Sequence, residues 1–333
     1  MNLNADQLRA VEHPGGPLLV LAGPGTGKTG VLVARIAHLV ANRGVRPDRI
    51  LALTFSRRAA DEMSERVKSR VPEAAFVETR TFHSFALSIV RRYASALGLR
   101  MAPEIMATGE QWALVSELLA NESSEAWGLA PGTLARPATV REVYDLLLRC
   151  QEHLLEPEKM RTLGENTGLP YLVRAAGLLE RYRLRLADLS EVDYEGVVQH
   201  ALELLEEDSP VRERLISSYD YVLVDEFQDT NRSQLELVRA LCQERNPTSS
   251  VLETMRRAST ASTGRGWRTS ASSRSTGLTR RRRNSGPTTG APRHHPARRG
   301  RHRGGREPTQ ARRAMGCLDA SRNSRLRGLR EPA

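Results

Sequence analysis

Apolar residues along this chain fall into two textures. Leu18–Ala22 (LLVLA) is a short apolar run that ends in a glycine-rich turn, and the apolar residues of Val31–Val40 return at helical spacing. Ile50–Phe55 (ILALTF) repeats the pattern, with a helix through Ala59–Val67, and so does Ala75–Thr81, followed by a helix over Phe82–Tyr93. Strands alternating with helices predict a parallel sheet covered on both faces. From 97 to 190 strand signals vanish, and Glu110–Ala120, Val140–Leu155 and Leu172–Leu189 read as amphipathic helices of an inserted helical unit. The first texture returns with a helix over Tyr194–Glu206, a strand at Tyr221–Asp225 (YVLVD) and a helix over Ser233–Leu241. Beyond about Arg245, Ser, Thr, Gly, Pro and Arg dominate and apolar periodicity stops. Such a composition cannot bury enough apolar surface to offset chain entropy and predicts a disordered tail. The expected organisation is an α/β domain in two parts, 1–96 and 191–246, a helical insertion at 97–190, and a low-complexity basic tail at 247–333.

Charge follows this division. Of the chain's 50 Lys and Arg and 39 acids, 21 Arg and four acids lie in 247–333, leaving 29 bases and 35 acids upstream. The net charge of +11 therefore comes wholly from the tail and does not make the body a nucleic-acid-binding surface. Cys150, Cys242 and Cys317 are far apart, with no His or Cys at metal spacing, and read as thiols of a reducing compartment. No stretch approaches the about 20 apolar residues that span a bilayer, and the opening MNLNADQ is too polar for a signal peptide. The expectation is a cytoplasmic protein without membrane partners.

Chemistry concentrates first at Ala22, Gly23, Pro24, Gly25, Thr26, Gly27, Lys28 and Thr29, a phosphate-binding loop with Ala in place of the first Gly. Glycines let the backbone curl so that several N–H groups face phosphate oxygens, and the helix that follows adds its positive N-terminal end. In such a loop Lys28 reaches the β- and γ-phosphates and the Thr29 hydroxyl binds Mg²⁺. The strand Tyr221–Asp225 then delivers Asp225 and Glu226 at its carboxyl end, where ligands sit in open α/β sheets. Asp225 suits a Mg²⁺ held through water, and Glu226 suits the orientation and deprotonation of an attacking water.

Five segments occur in a fixed order: Leu3-Asn-Ala-Asp-Gln7, the loop Ala22–Thr29, Leu53-Thr-Phe-Ser56 with Ala59-Ala-Asp-Glu-Met63, Thr81-Phe-His-Ser84, and Asp225-Glu-Phe-Gln-Asp-Thr230. This array resembles the UvrD/Rep/PcrA family of superfamily 1 helicases over roughly Leu3 to Leu241. The resemblance implies a RecA-like P-loop NTPase sheet (domain 1A) with a helical insertion (domain 1B), ATP and Mg²⁺ as cofactors, and single-stranded DNA and duplex junctions as partners. It implies ATP hydrolysis coupled to 3′-to-5′ movement. It assigns adenine reading to Gln7 and γ-phosphate sensing to Gln228, beside the catalytic Lys28 and Glu226. It assigns single-stranded DNA contact to Phe55, Ser56, Arg57 and His83.

The family pattern continues shortly after DEFQDT with a segment close to GDDDQSIYGFRGA and a second RecA-like lobe, and neither is written here. Back-translating Leu252 to Ser262 and shifting by two bases permits Gly-Asp-Asp-Ala-Gln-Ser-Ile-Tyr-Gly-Phe. The expectation is a reading-frame change between about Cys242 and Leu252, with the Arg-rich tail out of frame. A basic arm that binds nucleic acid is the rival reading of the tail. Two functional readings follow: a helicase motor present as its N-terminal part, or a non-catalytic ATP- and DNA-binding fragment. A helicase–nuclease subunit would need a C-terminal nuclease that this sequence does not display.

Overall fold

The computed structural model describes residues 3–22, 25–206, 209–242, 250–256 and 268–271. In chain order the elements are α1 (Ala5–Glu12), β1 (Leu18–Ala22), α2 (Lys28–Ala41), β2 (Ile50–Thr54), α3 (Arg57–Arg70), β3 (Glu78–Thr81) and α4 (Phe82–Arg92). Next come β4 (Glu104–Ile105), α5 (Thr108–Ala120), α6 (Pro137–Glu152), α7 (Pro157–Thr167), α8 (Pro170–Leu189) and β5 (Glu191–Val192). The chain returns through α9 (Tyr194–Glu203), α10 (Arg212–Ile216), β6 (Tyr221–Val224), α11 (Arg232–Leu241), β7 (Ser250–Arg256) and β8 (Arg268–Ala271).

Among the described residues the main sheet runs β3-β2-β6-β7-β1-β8, parallel except for β8, which pairs antiparallel with β1. β2 is buried at every position and so is β6, as expected of strands covered on both faces. One face packs α1, α2 and α3 around Val31, Ile36, Leu39 and Met63. The other packs α4, α9 and α11 around Phe82, Phe85, Val197 and Leu237. The insertion builds its own core from α5 to α8, centred on Trp127, whose ring meets Tyr171 edge-on at 5.0 Å. Its helices α6, α7 and α8 each start with Pro, whose fixed φ and missing N–H suit a first helical turn.

The expected boundaries shift in places. The strand predicted from Ala75 starts at Glu78, because Pro72–Ala74 closes a 3₁₀ turn first. The helix predicted to Glu206 stops at Glu203. The larger correction concerns the tail, which was expected to hold no structure from 247 on. Ser250–Arg256 instead forms a central strand, and Arg268–Ala271 an edge strand. β1 and β6 are not neighbours, so a strand must lie between them to satisfy the backbone groups each presents to the gap. β7 does so with Leu18 opposite Leu252 and Tyr221 opposite Ser250. The rest of the expected tail lies outside the described residues. No described helix is long and apolar enough to cross a membrane.

Candidate functional site

Strand register brings the motifs together. In a parallel sheet all carboxyl ends emerge on one edge, and β1, β2, β3 and β6 each end at a motif. Ala22 closes β1, and the loop after it runs into Lys28, the first residue of α2. Gly25 and Gly27 have φ of 72° and 79°, and Gly27 caps α2 in the left-handed conformation. A side chain there would be strained, so the sharp entry into α2 requires glycine. Gly23 and Pro24 lie outside the described residues.

Asp225 follows β6 directly and is buried, its backbone N–H donating to the Leu53 carbonyl at 2.9 Å. Its Oδ2 accepts from the Thr29 hydroxyl at 2.9 Å, and its Oδ1 accepts from the Glu226 backbone N–H at 2.9 Å. Glu226 adopts φ 53° and ψ 41°, a left-handed conformation uncommon outside glycine and asparagine. That turn swings its carboxylate toward the loop, where Oε2 lies 3.7 Å from Lys28 Nζ. Lys28 is only 7% exposed, so its charge needs this partner or an anion in its place. Two hard oxygens, from Thr29 and Asp225, therefore sit beside a buried ammonium and a second carboxylate. That donor set suits Mg²⁺, which takes one or two protein oxygens and completes its shell with water and phosphate. Among the described residues no cluster of three or more His, Cys, Asp or Glu offers an all-protein cage instead.

Gln7 sits in the first turn of α1 in a capping box with Asn4: its Oε1 accepts from the Asn4 N–H at 2.9 Å, and Asn4 Oδ1 accepts from the Gln7 N–H at 2.8 Å. Its Nε2 donates to the Thr26 carbonyl at 3.2 Å, so α1 is tied to the loop between β1 and α2. Gln228 lies in the 3₁₀ turn Phe227–Asp229 that follows Glu226.

A second group emerges beside the first. β2 and β3 pair with Thr54 opposite Thr81, so the residues after each leave the sheet side by side. Phe55 is 57% exposed, unusual for a phenylalanine. Ser56 caps α3, its hydroxyl accepting from the Ala59 N–H at 3.2 Å. Arg57 reaches the Tyr194 hydroxyl at 3.5 Å, and the Tyr194 ring meets His83 edge-on at 5.1 Å between centroids. His83 Nε2 lies 3.5 Å from Glu195 Oε1. Arg57 and His83 are thus brought together, with Phe55 and Ser56 one strand end away.

Sequence reading missed three residues here. Tyr194 and Glu195 look like ordinary members of a helix start, and only the packing of α9 on α4 places them beside His83. Arg35 left a signal, as a lone charge within the apolar run of α2. It is 1% exposed and donates through Nη1 to the carbonyls of Val11 at 2.7 Å and His13 at 2.5 Å, pinning the end of α1.

Comparison with known proteins adds to this geometry. The model of the UvrD/REP helicase N-terminal domain matches residues 3–251. Proteins named ATP-dependent DNA helicase PcrA are similar over the same region. That of Leuconostoc citreum is 32% identical over 243 residues and that of Bacillus subtilis 32% over 242, each match covering 72% of this chain. That of Staphylococcus epidermidis is 31% identical over 241 residues. The match covers 31% of the length of each of these relatives.

Proposed function

Since the chain belongs to the UvrD/REP helicase family through its N-terminal domain, we propose that it is the nucleotide-binding lobe of an ATP-driven DNA helicase that moves 3′ to 5′ on single-stranded DNA. The observation that supports this best is the Thr29–Asp225 hydrogen bond, which joins two motifs 196 residues apart into one oxygen-lined site. Backbone N–H groups of the loop bind the phosphates, and Lys28 exchanges Glu226 for phosphate oxygens. That exchange frees the Glu226 carboxylate to take the proton of the attacking water. Thr29 and Asp225 would hold Mg²⁺, which supplies neutralisation of the charge on the phosphates. Gln7 reads the adenine edge with an amide that both donates and accepts, while its place beside Thr26 keeps base and phosphate recognition in register. Gln228 senses the γ-phosphate from the turn after Glu226.

Single-stranded DNA lies across Phe55, Ser56, Arg57 and His83. An exposed aromatic gives a base a stacking face, and Arg57 holds a phosphate. The acidic balance of the body leaves such local contacts, rather than overall charge, to carry this binding. A second lobe would close the nucleotide cleft and contribute the arginine fingers that stabilise transition-state charge. We place the change of reading frame between Cys242 and Leu252, and the family match, which ends at 251, stops inside that window. The nucleotide sequence checks this: a shifted frame without a GDD-like segment refutes it.

Fluorescent ATP binding to the 333-residue chain tests the site. The wild-type chain binds with Mg²⁺, and Lys28→Ala weakens binding about 10- to 100-fold, the worth of one charge-assisted hydrogen bond at about 1.5–3 kcal/mol. Asp225→Asn removes the Mg²⁺ dependence. Equal binding by wild type and Lys28→Ala refutes the assignment. Robust DNA-stimulated turnover by this chain alone refutes the need for a second lobe.

A further inference from the structure

Glu195 lies in the first turn of α9, outside every motif, yet its carboxylate joins His83 to the start of α11. The residue is 8% exposed. Oε1 faces His83 Nε2 at 3.5 Å. Oε2 accepts from the Ser233 hydroxyl at 3.3 Å and faces Asn231 Nδ2 at 3.5 Å. Asn231 caps α11, its Oδ1 accepting from the Gln234 N–H at 3.0 Å, and it follows the 3₁₀ turn that starts after Glu226. That turn is closed by the Thr230 hydroxyl on the Phe227 carbonyl at 2.7 Å. A displacement of Glu226 thus has a short, stiff route to Asn231.

Two features mark this carboxylate as more than packing. A buried charge whose partners are neutral donors and a histidine is costly, and an apolar side chain would fill the space at less cost. The junction also holds a shared donor. The Ser233 hydroxyl carries one proton but lies within reach of two acceptors, Glu195 Oε2 at 3.3 Å and Asn231 Oδ1 at 2.9 Å. Rotation of that hydroxyl from Oε2 toward Asn231 Oδ1 takes one of its donors away from the Glu195 carboxylate. Glu195 thus touches His83 directly and reaches the turn after Glu226 through Asn231.

We propose that Glu195 is a positioning residue that couples the nucleotide site to His83, so that the state of Asp225 and Glu226 sets how His83 is presented to single-stranded DNA. This rests on the reading of Lys28–Thr29 and Asp225–Glu226 as the nucleotide site and of His83 as a DNA contact.

The test follows the His83 ring signal by ¹H–¹³C NMR in the full chain, assigned with His83→Asn, while Mg²⁺ and ATPγS are added. In the wild type the signal moves on nucleotide binding. In Glu195→Gln, which keeps the shape and an acceptor for Ser233, nucleotide affinity is unchanged and the movement is lost. Ser233→Ala, which removes one of the donors that hold Oε2 and leaves the Glu195–His83 contact, also reduces it. In parallel, Glu195→Gln changes the effect of nucleotide on oligo(dT) affinity by about 2- to 30-fold. A His83 signal that moves equally in Glu195→Gln, or stays still in a nucleotide-saturated wild type, overturns the proposal. No nucleotide binding by the wild type overturns the site reading and the coupling with it. A coupled His83 signal without oligo(dT) binding removes the DNA role of His83 and leaves the coupling standing.

Discussion

Replacing Arg35 with methionine should loosen α1 while leaving the helical insertion untouched. α1 spans Ala5–Glu12, too short to hold together in isolation. It is kept by its capping box, by buried Ala10 and Val11, and by the Arg35 guanidinium on the Val11 and His13 carbonyls. Burial pushes the Arg35 pKa down to about 10, a sign of how thoroughly the group is desolvated. Methionine fills much of the same volume but donates nothing. Hydrogen bonds from a charged donor are worth about 1.5–3 kcal/mol each, and relief of the buried charge returns part of that. A net loss of about 2 kcal/mol in the seating of α1 is expected, which speeds its amide exchange about 30-fold. Hydrogen exchange read by mass spectrometry on peptides from 5–13, against 170–189 as control, measures it. Tryptophan fluorescence would not report on α1 directly, since none of the three tryptophans, Trp112, Trp127 and Trp267, belongs to it. Because α1 carries Gln7 to the Thr26 carbonyl, weaker nucleotide binding should accompany the faster exchange. Unchanged exchange over 5–13 refutes the argument. Equal acceleration over 170–189 refutes it too, showing general unfolding rather than the loss of one anchor.

Other outcomes follow from single groups. Gly27→Ala adds a methyl that meets nothing within 4 Å, so its cost is the left-handed backbone alone, about 1–2 kcal/mol. Thermal melting should fall accordingly, and an unchanged Tm would show that the loop relaxes out of that conformation. Burial pushes the Cys150 thiol up to about 12, so in a Cys242→Ser, Cys317→Ser chain DTNB should react only on unfolding, and native-state labelling of that chain would contradict the place of Cys150 in the insertion core. His13 and His38 have pKa values lowered by burial and then by Arg35. The unfolded chain therefore takes up their protons first. The stability they contribute is full above about pH 6.5 and is lost as pH falls through the folded-state values. Melting temperatures at pH 7.5 and 5.5 should differ less in the His13→Asn, His38→Asn double variant than in the wild type, and equal differences would dismiss the pair.

What sequence could reveal depended on how local its cause was. The strand–turn–helix that carries the proposed phosphate loop was legible because its pattern lies in consecutive residues: an apolar strand, glycines where φ is positive, then Lys28 and Thr29 at the start of α2. The insertion was legible because helical periodicity persists over whole helices. Glu195 was illegible because nothing near it in sequence distinguishes an acid in a first helical turn, where the helix dipole favours one in any case. Its partners lie 36 and 38 residues away at Asn231 and Ser233, and α4 brings His83 from a third segment. The tail misled for the opposite reason. Composition argued against structure in 250–256, but the slot between β1 and β6 is defined by strands elsewhere in the chain, and backbone pairing fills it.

Strand order also explains why the loop after β6 can serve both halves of the site. β2 and β3 lie on one side of β6, and β7 and β1 on the other. The residues proposed to touch DNA leave the carboxyl ends of β2 and β3, and those proposed to touch phosphate leave β1. The segment from Asp225 to Asn231 leaves the strand between them, with Asp225 donating its backbone N–H to Leu53 on one side and accepting from Thr29 on the other. An acid placed after β3, at the sheet edge, could not reach Thr29. The sheet therefore puts the carboxyl end of β6 against both Leu53 at the end of β2 and Thr29 at the start of α2, the position that the proposed coupling of ATP to DNA requires of its hydrolytic residues.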